Sequence, residues 1–192
     1  MELSGRTRED GASRSTLILG LYAALSLVAL AIGLARGHVD LYRAPGCEIS
    51  WRLLASPVLG VAIGLAEVFV YRLCVHRFDW ARRVHRGFRG LLGNLASRDV
   101  LVLAIASAVG EELLFRGALM PWIGLWASTI IFALLHIGPG TRFLPWTASA
   151  FLMGLIFALS TRWLGDMGAP MTAHFTINYL NIKYIQRVEL PG

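Results

Sequence analysis

Gly110-Glu111-Glu112-Leu113-Leu114-Phe115-Arg116-Gly117 sets two adjacent carboxylates and a guanidinium inside an apolar run, Val100 to Met120, that is long enough to span a bilayer. Ionised groups at that depth are costly, so an acid or base there marks a candidate functional site. Helical phase sorts the three. At about 100° per residue, Glu112 and Arg116 lie four apart on one face, while Glu111 points away from both. The expected arrangement is an internal Glu112–Arg116 pair beside a Glu111 left free to bind water or substrate. The plainer alternative is an ion pair that clips two helices together, since buried polar groups also act as glue between membrane helices.

Working outward, composition puts this stretch in a membrane. Of 192 residues 56% are apolar and 16% charged, with a mean hydropathy of +0.59, against about 25% charged residues in a soluble domain. The expected fold is therefore all-α: a polytopic transmembrane helix bundle of about six spans with no separate soluble domain. The net charge of +6 does not point to nucleic acid, because 17 of the 18 basic residues are arginines and six of these cluster in one loop. That placement reads as membrane orientation and contact with anionic lipid. Cys47 and Cys74 form no metal spacing and no evident disulfide pair.

Along the chain, residues 1–16 read as a short, disordered basic tail and Leu17 to Ala35 as an uncleaved first anchor. Leu53 to Val75 is the second span, with Gly60 and Gly64 offering a small-residue packing face. His76 to Arg98 carries six arginines, and its aromatic and basic stretch, Phe78 to Arg89, fits either an interfacial helix or a solvated loop. Val100 to Met120, Trp122 to Ile137, Phe143 to Leu164 and Met171 to about Tyr184 complete the six. Gly154 and Ala158 form a second close-packing pair, and Trp51, Trp122 and Trp163 fall at span ends as interfacial anchors. Placing both termini and the arginine-rich loop in the cytoplasm puts 13 of 18 basic residues there and four outside. In domain terms, a basic tail (1–16) precedes N-terminal spans with their loop (17–99) and a core (100–187). Glu67 is read as pairing with Arg72, the other reading being support of the core's site.

His38, His76 and His85 lie in polar loops and need no explanation. His136 and His174 do not. The first ends Phe132-Ala133-Leu134-Leu135-His136, and the second begins His174-Phe175-Thr176-Ile177-Asn178, both inside apolar segments. Polar groups in lipid turn inward and seek one another, so Glu111, His136, His174 and Asn178 should converge on one cavity. A ruler along the assumed spans fits poorly, leaving His174 shallower than Glu111 and His136 deeper.

Glu111-Glu112-x-x-x-Arg116, Phe132-x-x-x-His136 and His174-x-x-x-Asn178, in that order, resemble the three-motif signature of the CPBP family of intramembrane proteases. That family includes the CAAX prenyl endopeptidases, the bacterial Abi-type proteins and the myxosortase-like relatives. The resemblance covers roughly Val100 to Ile185. It implies a glutamic-type intramembrane protease in which Glu111, helped by His136, deprotonates a water. His174 and Asn178 would donate to the oxyanion, and Glu112 with Arg116 would support the helix. A carboxyl among apolar side chains suits general-base work, because desolvation disfavours its charged form. The implied partner is a membrane-anchored protein or peptide, with prenylated tails, C-terminal sorting tails and bacteriocin-type peptides all open. No cofactor or metal is expected, and the arginine-rich composition suggests a bacterial inner membrane. Two other classes compete: a zinc hydrolase with Glu111, His136 and His174 as ligands, and a proton-coupled carrier or inactive scaffold.

Overall fold

The computed structural model describes residues 3–44 and 51–190, and among them the only regular structure is helical. The helices are α1 (Leu3–Ala35), α2 (Trp51–Arg77), α3 (Asp79–Leu92), α4 (Ser97–Glu112), α5 (Met120–Ile123), α6 (Leu125–Leu135), α7 (Leu144–Leu164) and α8 (Gly168–Arg187). A seven-residue π-helix, Leu113–Leu119, joins α4 to α5 without a break, and a 3₁₀ turn at Thr141–Phe143 opens α7. The stretch expected to be a disordered tail is instead the beginning of α1, helical from Leu3. Cys47 lies outside the described residues, and Cys74 is a free thiol in α2.

Among the described residues, three stretches are long and apolar enough to cross a membrane: Thr16–Ala35, Trp51–Arg77 and Thr141–Leu164. Their outer faces carry exposed Leu, Val, Phe and Trp side chains, among them Leu54, Val58, Phe69 and Trp163, as a lipid-facing surface requires. The segments expected as the third and sixth spans are helical, as α4 with its π-helix and as α8, but neither is among the three apolar stretches of membrane length. The expected fourth span, Trp122 to Ile137, departs from expectation. Gly124 takes a positive φ of 87° and starts α6 afresh. The 11 residues of α6 cover about 16 Å, roughly half the apolar thickness of a bilayer.

α8 is fixed by close approach to α2. A Cβ on Gly60 would lie 2.0 Å from Thr172 Oγ1 and 2.2 Å from the Ala169 carbonyl, and one on Gly64 would lie 2.7 Å from Thr176 Cβ. Glycine at these two positions lets the backbones touch. At the far end, Asp166 Oδ1 accepts from Gly168 N–H (2.7 Å) and Ser56 Oγ from Ala169 N–H (2.7 Å), so two side chains satisfy the first amides of α8.

The arginine-rich segment is a helix rather than a solvated loop. α3 buries Ala81, Val84, His85 and Gly87 and sends Arg89 to the end of α8. There Nη1 donates to the carbonyls of Ile185 (2.8 Å) and Gln186 (2.9 Å), while Nη2 meets Glu189 Oε1 at 2.6 Å. Gln186 answers by donating to the Gly93 carbonyl at 2.7 Å. His85, expected to be an unremarkable loop residue, is fully buried: its Nε2 donates to the Val188 carbonyl (3.0 Å) and its Nδ1 accepts from the Tyr71 hydroxyl (3.0 Å). Glu67 does not pair with Arg72. It accepts from Asn181 Nδ2 at 2.9 Å, and Arg72 lies 5.1 Å over the Tyr184 ring.

Two outcomes follow. Gly60→Ala forces α2 from α8 and should lower the melting temperature by an amount matching at least the ~1–3 kcal/mol of core overpacking. Gly20→Ala, with nothing within 4 Å of its Cβ, should leave it unchanged or raise it. For His85, burial, opposed by the Val188 carbonyl and aided by the Arg89 and Arg86 charges, holds the imidazole pKa below its ordinary value. A base so depressed stabilises the fold fully above its unfolded pKa of about 6.5, and that contribution is lost as pH falls below it. Thermal scans between about pH 7 and pH 5 should therefore show a drop that His85→Gln flattens.

Candidate active site

Glu112 is where the site is built. Its carboxylate is fully buried, and Oε1 receives two donors: Arg116 Nη1 at 3.0 Å and His174 Nδ1 at 2.8 Å. The i,i+4 pairing with Arg116 is the one helical phase predicts. The His174 bond was not foreseen, and it joins α4 to α8 at the depth of the charge. Arg116 is held from the other side by the Gly154 carbonyl at 3.0 Å. Its guanidinium lies 4.4 Å over the Phe132 ring and 5.3 Å from that of Phe157, which is how a buried cation is accommodated among apolar groups. Gly154 admits it: a Cβ there would come to 3.4 Å from Arg116 Nη2 and 3.0 Å from Phe132.

Glu111 points the other way, as its phase requires, and faces both histidines. Its Oε2 is 3.7 Å from His136 Nε2 and 3.9 Å from His174 Nε2. The two imidazoles are oriented by their other nitrogens. His136 Nδ1 lies 2.7 Å from the Phe132 carbonyl, which can only accept, so Nδ1 carries the proton and neutral His136 presents a bare Nε2. His174 likewise carries a proton on Nδ1, which it donates to Glu112 Oε1 at 2.8 Å. Fixing one ring nitrogen to set the chemistry of the other is a familiar device for functional histidines.

His136 reaches this point because α6 is short. Gly138-Pro139-Gly140 stops the helix, His136 caps it, Thr147 Oγ1 donates to its carbonyl at 2.7 Å, and Trp146 packs 5.2 Å from its ring. The depth conflict came from treating Trp122 to Ile137 as a full crossing. Measured from the arginine-rich end at about 1.5 Å per residue, Glu111 stands about 21 Å along α4 and His174 about 20 Å back along α8.

Asn178 is displaced from the other three. Its Nδ2 donates to Ser107 Oγ at 2.9 Å, one turn below both His174 and Glu111, so it adjoins the cluster without touching Glu111. Two features escaped the sequence reading. Tyr22 of α1 packs at 3.0–3.2 Å from where a Gly110 Cβ would sit, and its hydroxyl interacts with the Glu111 carboxylate. The π-helix gave no sequence signal at all; Phe115 within it accepts from both Met120 N–H and Ser128 Oγ. Short π-helical segments recur at functional sites. As for metals, no group of three or more His, Cys, Asp or Glu side chains among the described residues has the spacing to hold an ion.

A helical membrane bundle with a carboxylate and two oriented imidazoles at one depth defines the class. Residues 93–180 match the family described as Type II CAAX prenyl endopeptidase Rce1-like, the stretch that holds Glu111, Glu112, Arg116, His136, His174 and Asn178. The chain is similar to the uncharacterized protein YpbD of Bacillus subtilis (strain 168), 42% identical over 82 residues. The match covers 41% of this chain and 41% of the relative, so the chain spans less than half the length of that relative. No solved structure matches.

The two neighbouring glutamates should fail differently when replaced. Glu112→Gln strands a buried Arg116 and weakens the hold on His174, so the detergent-solubilised protein should lose about 3–5 kcal/mol of stability or fail to accumulate. Glu111→Gln breaks no ion pair with arginine and should keep the wild-type melting temperature.

Proposed function

We propose that this protein is a glutamic-type intramembrane endopeptidase that hydrolyses a membrane-proximal peptide bond in a membrane-anchored protein or peptide. The observation carrying this reading is the position of Glu111 between the Nε2 atoms of His136 and His174, each at under 4 Å. A water held by Glu111 and His136 loses a proton to the carboxylate and attacks the scissile carbonyl carbon. The C–N bond then breaks, with the proton passed on to the leaving amine. His174, as an imidazolium anchored by Glu112, donates from Nε2 to the oxyanion. Asn178 has a second amide N–H beyond the one given to Ser107, and that hydrogen is available to a carbonyl oxygen on the near side of the cluster. The partial exposure of Glu111 and His136, at 13% and 19% of their side chains, gives substrate a way in that the closed Glu112 lacks.

Orientation follows from charge. The arginine-rich end, with α3 and the end of α8, faces the cytoplasm of a bacterial inner membrane. A zinc hydrolase would need Glu111, His136 and His174 as ligands, and a carrier would need no hydrolytic water; both are separable by experiment.

Comparative C-terminal proteomics of membranes from cells with wild-type protein and with Glu111→Gln should reveal chain ends made only by the former. With a substrate so found, purified Glu111→Gln should lose at least the ~10²–10⁴-fold of a general base. Asn178→Ala should lose ~10²–10³-fold with its fold intact. Cleavage abolished by a chelator and restored by zinc would replace this mechanism, and no difference in chain ends would remove the protease reading.

A further inference from the structure

A cavity of about 430 Å³ opens between α3 and the start of α7, lined by Arg83, Arg86, Gly87, Gly90, Leu91 and Arg142. None of its lining residues belongs to the Glu111 cluster. We propose that it binds the phosphate of an anionic phospholipid headgroup at the arginine-rich face of the membrane.

Three arginines line it, and two acids of this face pair with arginines outside it. Asp79 pairs with Arg82 and Glu189 with Arg89. Arg83 and Arg142 make no ion pair among the described residues, and Arg142 rests 5.0 Å over the Phe143 ring. Like charges gathered in one cavity call for an anion, and guanidinium forks match phosphate oxygens in geometry as well as charge. The floor is backbone. Gly87 sits on Phe143, whose ring would be 2.8 Å from a Cβ, whereas a Cβ on Gly90 would meet nothing within 4 Å. A phosphate can therefore approach the helix closely at Gly90.

Location and rim select a lipid over a free anion. α2 ends at Arg77 and the third membrane-length stretch begins at Thr141, so the cavity lies at the level where two such helices meet the bilayer surface. Leu91 is an exposed lining residue, and Phe78 and Trp80, stacked at 6.0 Å, are exposed at the start of the same helix. Apolar side chains beside a cationic pocket fit a molecule with a phosphate and acyl chains together. Inorganic phosphate or an acidic peptide would use only half of these features.

The test uses the full chain, purified in mild detergent, stripped of lipid and titrated with phosphatidylglycerol, phosphatidylcholine or inorganic phosphate. Native mass spectrometry and thermal melting provide the readouts. Phosphatidylglycerol should be retained and should raise the melting temperature, while phosphatidylcholine and inorganic phosphate should do neither. The double variant Arg83→Gln/Arg142→Gln should weaken phosphatidylglycerol binding by roughly tenfold or more, on the scale of two basic residues at an anionic surface. Gly90→Leu should do the same with every charge in place, by filling the cavity. Both variants should melt like the wild type without lipid. Equal retention of both lipids overturns the proposal, as does phosphatidylglycerol binding that neither variant weakens. A response to inorganic phosphate equal to that of the lipid overturns the choice of ligand.

Discussion

One buried carboxylate, Glu112, ties the bundle together. Its Oε1 accepts from Arg116 within its own helical rod and from His174 across the bundle, so a single oxygen sets the register of α4 against α8. A charge so deep is tolerated only with its partners in place, and the partners in turn need the Gly154 gap, the Phe132 and Phe157 faces and the π-helical turn that carries Arg116. The orientation of His174 is a by-product of this neutralisation. Stability and site geometry thus rest on the same atoms, and the adjacent Glu111 is left with no structural duty of that kind.

The arginine-rich end has a similar economy. α3 lies across the bundle, and Arg89 takes up the last carbonyls of α8, which a helix terminus otherwise leaves without donors. His85 and Tyr71 complete the seal beneath it. A basic residue of this surface helix therefore closes the end of the helix that carries His174 and Asn178. The connection from Phe88 through Trp146 to His136, by ring contacts of 5.0 and 5.2 Å, links the same surface helix to the second imidazole beside Glu111.

Much of the site was legible in the sequence because helical periodicity acts over four residues, a distance at which Glu112, Arg116 and the phase of Glu111 are fixed by geometry alone. Three spans and the small-residue face at Gly60 and Gly64 were legible for the same reason. What failed was whatever depended on where a helix stops. Hydropathy read Trp122 to Ile137 as a crossing because apolarity does not register the break at Gly124. His136 was misplaced in depth as a result. His85 and the continuation of α1 toward Leu3 were misjudged because polar composition was taken for solvent exposure, when an arginine can cover a helix end while its neighbour is buried. Asn178 shares a helix face with His174, but one turn of rise separates their polar atoms, and the nearer hydroxyl of Ser107 claims the amide. Tyr22 carried no pattern of its own; it is defined only by what packs against it.

The glycine contact between α2 and α8 has a mechanical meaning. Where Gly60 and Gly64 meet the backbone and threonines of α8, no side chain cushions the joint, so neither sliding nor rotation is available without collision. α8, and with it His174, behaves as a stator. α6 is the opposite case: a short rod, hinged at Gly124 and ended at Gly138-Pro139-Gly140, bearing His136 at its tip. The two imidazoles beside Glu111 are thus positioned differently, one by a helix locked backbone to backbone and the other by where a short helix begins and ends.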